Sequence, residues 1–179
     1  MPTRKSLRLP GYEYRTPGAY FITVCTENRE NLFWSVGVLQ SAANLNQNIA
    51  GGNVTINISD AHISPQLPLS PIGRVVEKHL RNIPGVGEYV IMPNHVHLIL
   101  HISADDPREG PMWASAPTTA NVPSLIRSWK ILVTKELGRS IWQRSYYDHI
   151  IRDEQDYRIR VEYIRNNPLK WRDDHYFIP

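Results

Sequence analysis

The chain predicts an α+β fold built around an antiparallel hairpin, and three observations carry that reading. Residues Gly87 to Met92 turn at Pro93-Asn94 into a second run, His95-Val96-His97-Leu98-Ile99-Leu100-His101-Ile102, so the two strands should pair. Apolar residues at helical spacing follow Ser70-Pro71, Pro123-Ser124 and Asp153. Strand-like and helix-like stretches alternate along the chain instead of segregating.

The elements follow in order. Residues 3 to 15 are basic and aromatic and end at a Thr16-Pro17-Gly18 turn, after which Ala19-Tyr20-Phe21-Ile22-Thr23-Val24-Cys25 predicts a first strand over about 19 to 26. Residues 40 to 70 are rich in Asn, Ser, Gly and Pro and predict an insertion holding at most a β-ribbon around Val54-Thr55-Ile56-Asn57-Ile58. Ser70 caps a helix with proline at its first position, running to about Asn82 with Ile72, Val75, Val76, His79 and Leu80 inward. A Pro-, Gly-, Ala- and Thr-rich stretch at 104 to 122 reads as a mobile loop. The helix over 123 to 138 places Leu125, Trp129, Leu132 and Val133 inward and stops at Gly138. A short extended segment, Ile150-Ile151, leads into a last helix capped by Asp153, with Tyr157, Val161 and Ile164 as its apolar stripe. Asn167-Pro168 closes it, because proline disfavours helical geometry in the residue before it. The 179 residues fit one domain with a basic N-terminal arm over about 1 to 17.

Composition narrows the partners. Arg and Lys exceed Asp and Glu by 20 to 17, with arginines crowded at the N-terminus and in the last third, a bias that suits a phosphate-bearing partner and equally an ordinary solvated surface. The single cysteine, Cys25, sits in an apolar strand and reads as a small buried residue. It excludes an intrachain disulfide and a zinc knuckle. The chain shows neither the apolar core of a signal peptide nor a run of membrane-spanning length, so a soluble, cytoplasmic protein is expected.

The candidate chemistry begins with His95 and His97. Side chains two apart on a strand share a face, so Val96, Leu98, Leu100 and Ile102 should face the core while the two imidazoles stand together on the other, wet face. That spacing suits one metal ion, although polar outward positions on an apolar strand need no metal. His101 continues the same face, and His79 reads as surface or packing. Arg127, Lys130 and Lys135 fall on the outer faces of their helix, as a solvated surface or as phosphate contacts. Tyr163 and Asn167 lie one helical turn apart on one face, away from the apolar stripe.

Three segments then resemble the single-tyrosine HUH transposases, and among them the REP-associated tyrosine transposases. They are Arg8-Leu9-Pro10-Gly11-Tyr12-Glu13-Tyr14 leading into Gly18-Ala19-Tyr20-Phe21-Ile22-Thr23; Met92-Pro93-Asn94-His95-Val96-His97; and Trp142-Gln143-Arg144-Ser145-Tyr146-Tyr147-Asp148-His149 running on through Glu162-Tyr163-Ile164-Arg165-Asn166-Asn167-Pro168. The resemblance implies a ferredoxin-like α+β sandwich, a central antiparallel sheet with helices packed on one face, that binds DNA and a divalent ion. It makes His95 and His97 metal ligands, Tyr163 the nucleophile, and Asn167 the third ligand where related transposases carry glutamine. It also puts Arg4, Lys5, Arg8 and Tyr12 on the DNA. Arg144, in the third segment, joins Arg127, Lys130 and Lys135 as a further DNA-contact candidate.

On that reading the ion is Mg²⁺ or Mn²⁺, which suits a phosphate site with oxygen ligands and open positions. The substrate is DNA, single-stranded at the cut or flanked by a REP-like hairpin, and the product is a 5′-phosphotyrosine with a free 3′-hydroxyl. The protein would act as a monomer or homodimer. Two alternatives remain open from the sequence: a DNA-binding module of the same fold without turnover, and a metal hydrolase in which Tyr163 only packs.

Overall fold

The computed structural model describes residues 16–35, 69–103 and 121–178. Its elements are β1 (Gly18–Cys25), α1 (Pro71–Leu80), β2 (Val86–Ile91), β3 (His95–Ile102), α2 (Val122–Leu137), β4 (Tyr147–Ile151) and α3 (Glu154–Asn166). A short 3-10 turn occupies Glu27–Arg29, and a 3-10 helix follows α3 at Asn167–Asp173. The sheet order is β2-β3-β1-β4, and every pairing is antiparallel. A βαββαβ succession in that order is the ferredoxin-like arrangement. Arg4, Lys5, Arg8 and Tyr12, the ribbon at Val54 to Ile58, and residues 40–68 and 104–120 of the expected insertion and loop lie outside the described residues.

β1 is a nearly unbroken apolar run because it is a central strand, paired on both sides and buried from Tyr20 to Cys25. Residues opposite each other in a ladder share a face. One face therefore collects Phe21, Thr23 and Cys25 with Ile99, His97 and His95, and the other collects Tyr20, Ile22 and Val24 with Leu100, Leu98 and Val96. All of these are buried, which corrects one expectation. His95 and His97, 0% and 1% exposed, do not stand on a wet face. The alternation within β3 is as expected, but α3 crosses the histidine face, with Tyr163 beside His97 and Phe21 and Tyr157 beside His101. α1 and α2 pack together as the expected helical layer, and α3 adds a cover on the opposite side.

The helices start where local chemistry allows. The Ser70 hydroxyl accepts from the Gly73 N–H ahead of Pro71, and a Cβ at Gly73 would collide with the Phe33 carbonyl, so glycine lets the helix seat against that segment. α2 opens on a reciprocal capping box between Asn121 and Ser124 and ends at Gly138 in the left-handed conformation, φ 69°. Its inward stripe is Val122, Ile126, Trp129 and Val133. Leu132, expected inward, is 46% exposed. Trp129 sets the helix rotation: its indole N–H donates to the Val76 carbonyl of α1 and its ring packs on Trp142. In α3 only Ile164 is fully buried, with Tyr157 and Val161 half-buried. β4 is longer than Ile150-Ile151, since pairing with β1 recruits polar Asp148 and His149 that strand propensity alone would omit. Cys25 is buried, and burial pushes its thiol up to about 11. No helix among the described residues is long and apolar enough to cross a membrane.

Candidate metal and nucleophile site

Asn94, in the β2–β3 turn, fixes the state of His95. Its buried side chain donates through Nδ2 to the Arg29 and Tyr176 carbonyls at 3.1 and 2.8 Å. Its Oδ1, which can only accept, lies 2.9 Å from His95 Nδ1. His95 must therefore carry its proton on Nδ1 and keep a lone pair on Nε2. His97 Nδ1 is 2.8 Å from the hydroxyl of Thr23, its partner across the β1–β3 ladder, and the two Nε2 atoms are 2.9 Å apart. The proton between them comes from His97, so the Thr23 hydroxyl donates to His97 Nδ1. A hydroxyl also accepts. Rotation of the Thr23 O–H thus permits the other His97 tautomer, with both Nε2 lone pairs turned to one point.

Burial keeps both rings neutral. It holds the His97 imidazole down to about 3. His95 also lies well below the usual imidazole range, first through burial, then through the charges of His97 and Arg29. Phe21 stacks on His97 with ring centres 5.2 Å apart, and Tyr176 lies 4.6 Å from His95.

A carboxylate completes the cluster. The Asp174 side chain is 2% exposed, its Oδ2 is 4.0 Å from His95 Nε2, and its Oδ1 accepts from the Tyr176 N–H at 2.7 Å. Ligand atoms of His95, His97 and Asp174 all lie within 4.8 Å of one another. Among the described residues His95 is the one cationic-type group paired with Asp174, and His95 is neutral. A buried carboxylate with no counter-charge among the described residues, beside two neutral imidazoles that can each turn an Nε2 lone pair to one point once His97 changes tautomer, fits a bound cation.

Tyr163 closes the same site from α3. Its ring centre is 5.1 Å from that of His97, and the residue is 41% exposed, so one side remains open. Burial raises its phenol above the usual range, and the charge of Asp174 raises it further, while Asn167 and Arg160 act in the opposite direction. Asn167 is 3% exposed at the end of α3, and its Nδ2 has no acceptor among the described residues. The α3–3-10 junction thus brings Tyr163, Asn167 and Asp174 to the two histidines. Tyr147, opposite Thr23 in the sheet, lies two strands away from His97, about 10 Å by strand spacing.

Of the expected DNA contacts, Arg127, Lys130, Lys135 and Arg144 line one groove with Trp142 and Tyr146. Lys130 is partly withdrawn into the protein: its ammonium donates to the Gln143 and Ser145 carbonyls, and burial brings it down to about 8. Sequence reasoning missed Asn94, Thr23 and Asp174 as site residues. Asn94 adjoins the histidine pair and had a local signal; Asp174 had none.

The fold and site define a ferredoxin-like protein with paired strand histidines facing a helix-borne tyrosine. No family model matches the chain. A Haemophilus influenzae protein described as uncharacterized is 31% identical over 201 aligned residues, 98% of this chain and 93% of that protein. The REP-associated tyrosine transposase of Escherichia coli K12 is 30% identical over 86 residues, 48% of this chain and 44% of that protein. A solved structure of a REP-associated tyrosine transposase bound to a REP hairpin is similar over 92% of this chain and 74% of that one, with a TM-score of 0.52 and 23% identity. The chain belongs to one family with the Haemophilus protein and is related to the REP-associated tyrosine transposases, by sequence across about half its length.

Proposed function

We propose that the protein is a metal-dependent DNA strand transferase, cutting single-stranded or hairpin-flanked DNA through a covalent bond to Tyr163. The observation that carries this reading is the Asp174 carboxylate, buried with no counter-charge among the described residues, beside two neutral imidazoles and a half-open tyrosine. His95, His97 and Asp174 would hold a divalent cation, Mg²⁺ or Mn²⁺, which when bound would withdraw charge from a phosphate and fix its orientation. Asn167, expected as the third ligand, acts on the Tyr163 phenol from the end of α3, and in this reading its carbonyl oxygen is a further ligand candidate beside Asp174.

The chain's own residues supply the rest. Tyr163 Oη attacks phosphorus and the bond to the 3′-oxygen breaks; the phenol loses a proton and the departing 3′-oxygen gains one. The phosphotyrosine conserves the ester, so another 3′-hydroxyl can reverse the exchange without ATP. The phenol of Tyr163 is protonated at neutral pH as any tyrosine is, and burial and the charge of Asp174 shift it further in that direction.

The test incubates the full chain and Mn²⁺ with hairpin oligonucleotides from the DNA flanking its gene. A denaturing gel should show a protein-linked DNA band that vanishes in Tyr163→Phe. Cleavage without the adduct would favour a metal hydrolase, and binding without cleavage a silent DNA module.

A further inference from the structure

The groove beside α2 has a composition that the metal and nucleophile site does not use. It is largely open to solvent, about 840 Å³ in volume, and lies between the outer face of α2 and residues 140 to 146. Arg127, Lys135 and Arg144 are exposed along it, while Lys130 turns inward and clamps the opposite wall through the Gln143 and Ser145 carbonyls. Its floor is apolar and aromatic: Ile131 is 52% exposed there, with Tyr146 and Trp142 alongside. The Trp142 indole N–H is buried and finds no acceptor among the described residues.

Its position ties it to the sheet end that carries His95. Trp142 bridges to Thr26, the Gln143 N–H donates to the Cys25 carbonyl at 2.9 Å, and Cys25 pairs with His95. The groove wall is therefore two strands from His95, about 10 Å. β4, which continues from that wall, is an edge strand of the described sheet, so a flexible chain can pass around this edge from one face to the other.

We propose that this groove is a track for single-stranded DNA, with phosphates on Arg127, Lys135 and Arg144 and bases against Tyr146 and Ile131. Exposed cations flanking an aromatic floor match a strand whose charge runs outside and whose bases can splay. A duplex presents phosphates without free base faces and would leave that floor bare. The inference deepens the proposed DNA reading and shares its substrate class, but it concerns binding and not chemistry.

Fluorescence anisotropy on the full chain tests it, using a labelled single-stranded oligonucleotide, a blunt duplex and an RNA strand of the same sequence. Arg127→Ala, Lys135→Ala and Arg144→Ala together should weaken single-strand binding and lower its log–log salt slope by about 2, at roughly 0.7 per phosphate contact. All three are surface positions, so an unchanged thermal melt checks the fold. Tyr146→Leu keeps the apolar contact but loses the ring; it should weaken binding roughly fivefold or more without changing the slope. An unaltered affinity and slope in the triple variant, an equal loss on duplex, or tighter binding of the RNA would overturn the proposal. Failure here is separable from failure of the strand-transfer reading. Tyr163→Phe should abolish the adduct yet retain single-strand binding with its full salt slope, whereas the groove variants should lose that slope.

Discussion

Replacing Asn94 by alanine probes the site at the residue on which most of it depends. Three hydrogen bonds disappear: two donated to the Arg29 and Tyr176 carbonyls and one accepted from His95 Nδ1. Each is worth about 1 kcal/mol net, and the His95 N–H, in a residue with no exposure, is left without an acceptor at the upper end of that scale. The total is about 3 to 4 kcal/mol, a large fraction of the roughly 5–15 kcal/mol that stabilises a domain. Loss of the orienting acceptor should also weaken divalent-ion affinity about 10- to 100-fold, the usual effect of removing a partner of a ligating histidine. Urea unfolding with and without Mn²⁺ measures both. Asn94→Asp separates them, because it keeps an acceptor for His95 but cannot donate to the carbonyls: stability should fall while the ion affinity stays nearer wild type. A loss under about 1 kcal/mol with unchanged Mn²⁺ binding in Asn94→Ala would refute the tautomer argument.

Two other outcomes follow from the same cluster. His97, held down to about 3, and His95, also depressed, are neutral when folded but titrate normally when unfolded. Their contribution is complete above the ordinary imidazole pKa and declines as pH falls from there, for His97 toward about 3, by about 1.4 kcal/mol per pH unit for a ring that stays neutral. Acid titration followed by circular dichroism should show that loss, and His97→Gln should flatten it; an identical profile in the variant would remove the buried neutral ring as its cause. Asp174→Asn and Asn167→Ala should move the Tyr163 phenol oppositely, down and up, since Asp174 raises its pKa and Asn167 lowers it. Ultraviolet titration against Tyr163→Phe reads the shift, and calorimetry with Mn²⁺ should show the larger loss of affinity in Asp174→Asn. A larger loss in Asn167→Ala would make Asn167, and not Asp174, the third ligand.

The sheet was legible because its signals are local. The Pro93-Asn94 turn, the alternation through Ile102 and the apolar run before Cys25 each fix a strand, and the Ser70 and Asp153 caps each fix a helix start. The limits were equally physical. Alternation within one strand separates two faces but cannot say which is covered, because cover comes from other elements. Phe21, Ile99 and Val90 make the histidine side apolar through their neighbours in the ladder. Leu132 and Val133 are adjacent apolar residues, and only the docking of Trp129 on Val76 and Trp142 decides which turns inward.

Asp174 illustrates the harder limit. It follows a 3-10 helix that the proline after Asn167 starts, in a stretch with no periodicity and no motif, and nothing near it in sequence marks it as more than a surface acid. It reaches the histidines because Trp171 is buried near Trp34 and Phe177, which brings the chain end back across the sheet. Asn94 tightens the same return by donating to the Tyr176 carbonyl. The residue that orients His95 therefore also anchors the segment carrying the carboxylate, and the two halves of the site, some eighty residues apart in sequence, are joined by one buried amide. A perturbation at Asn94 should consequently loosen the Asp174 segment along with the imidazole, which is why its effect on metal affinity should exceed that of any single change remote from both.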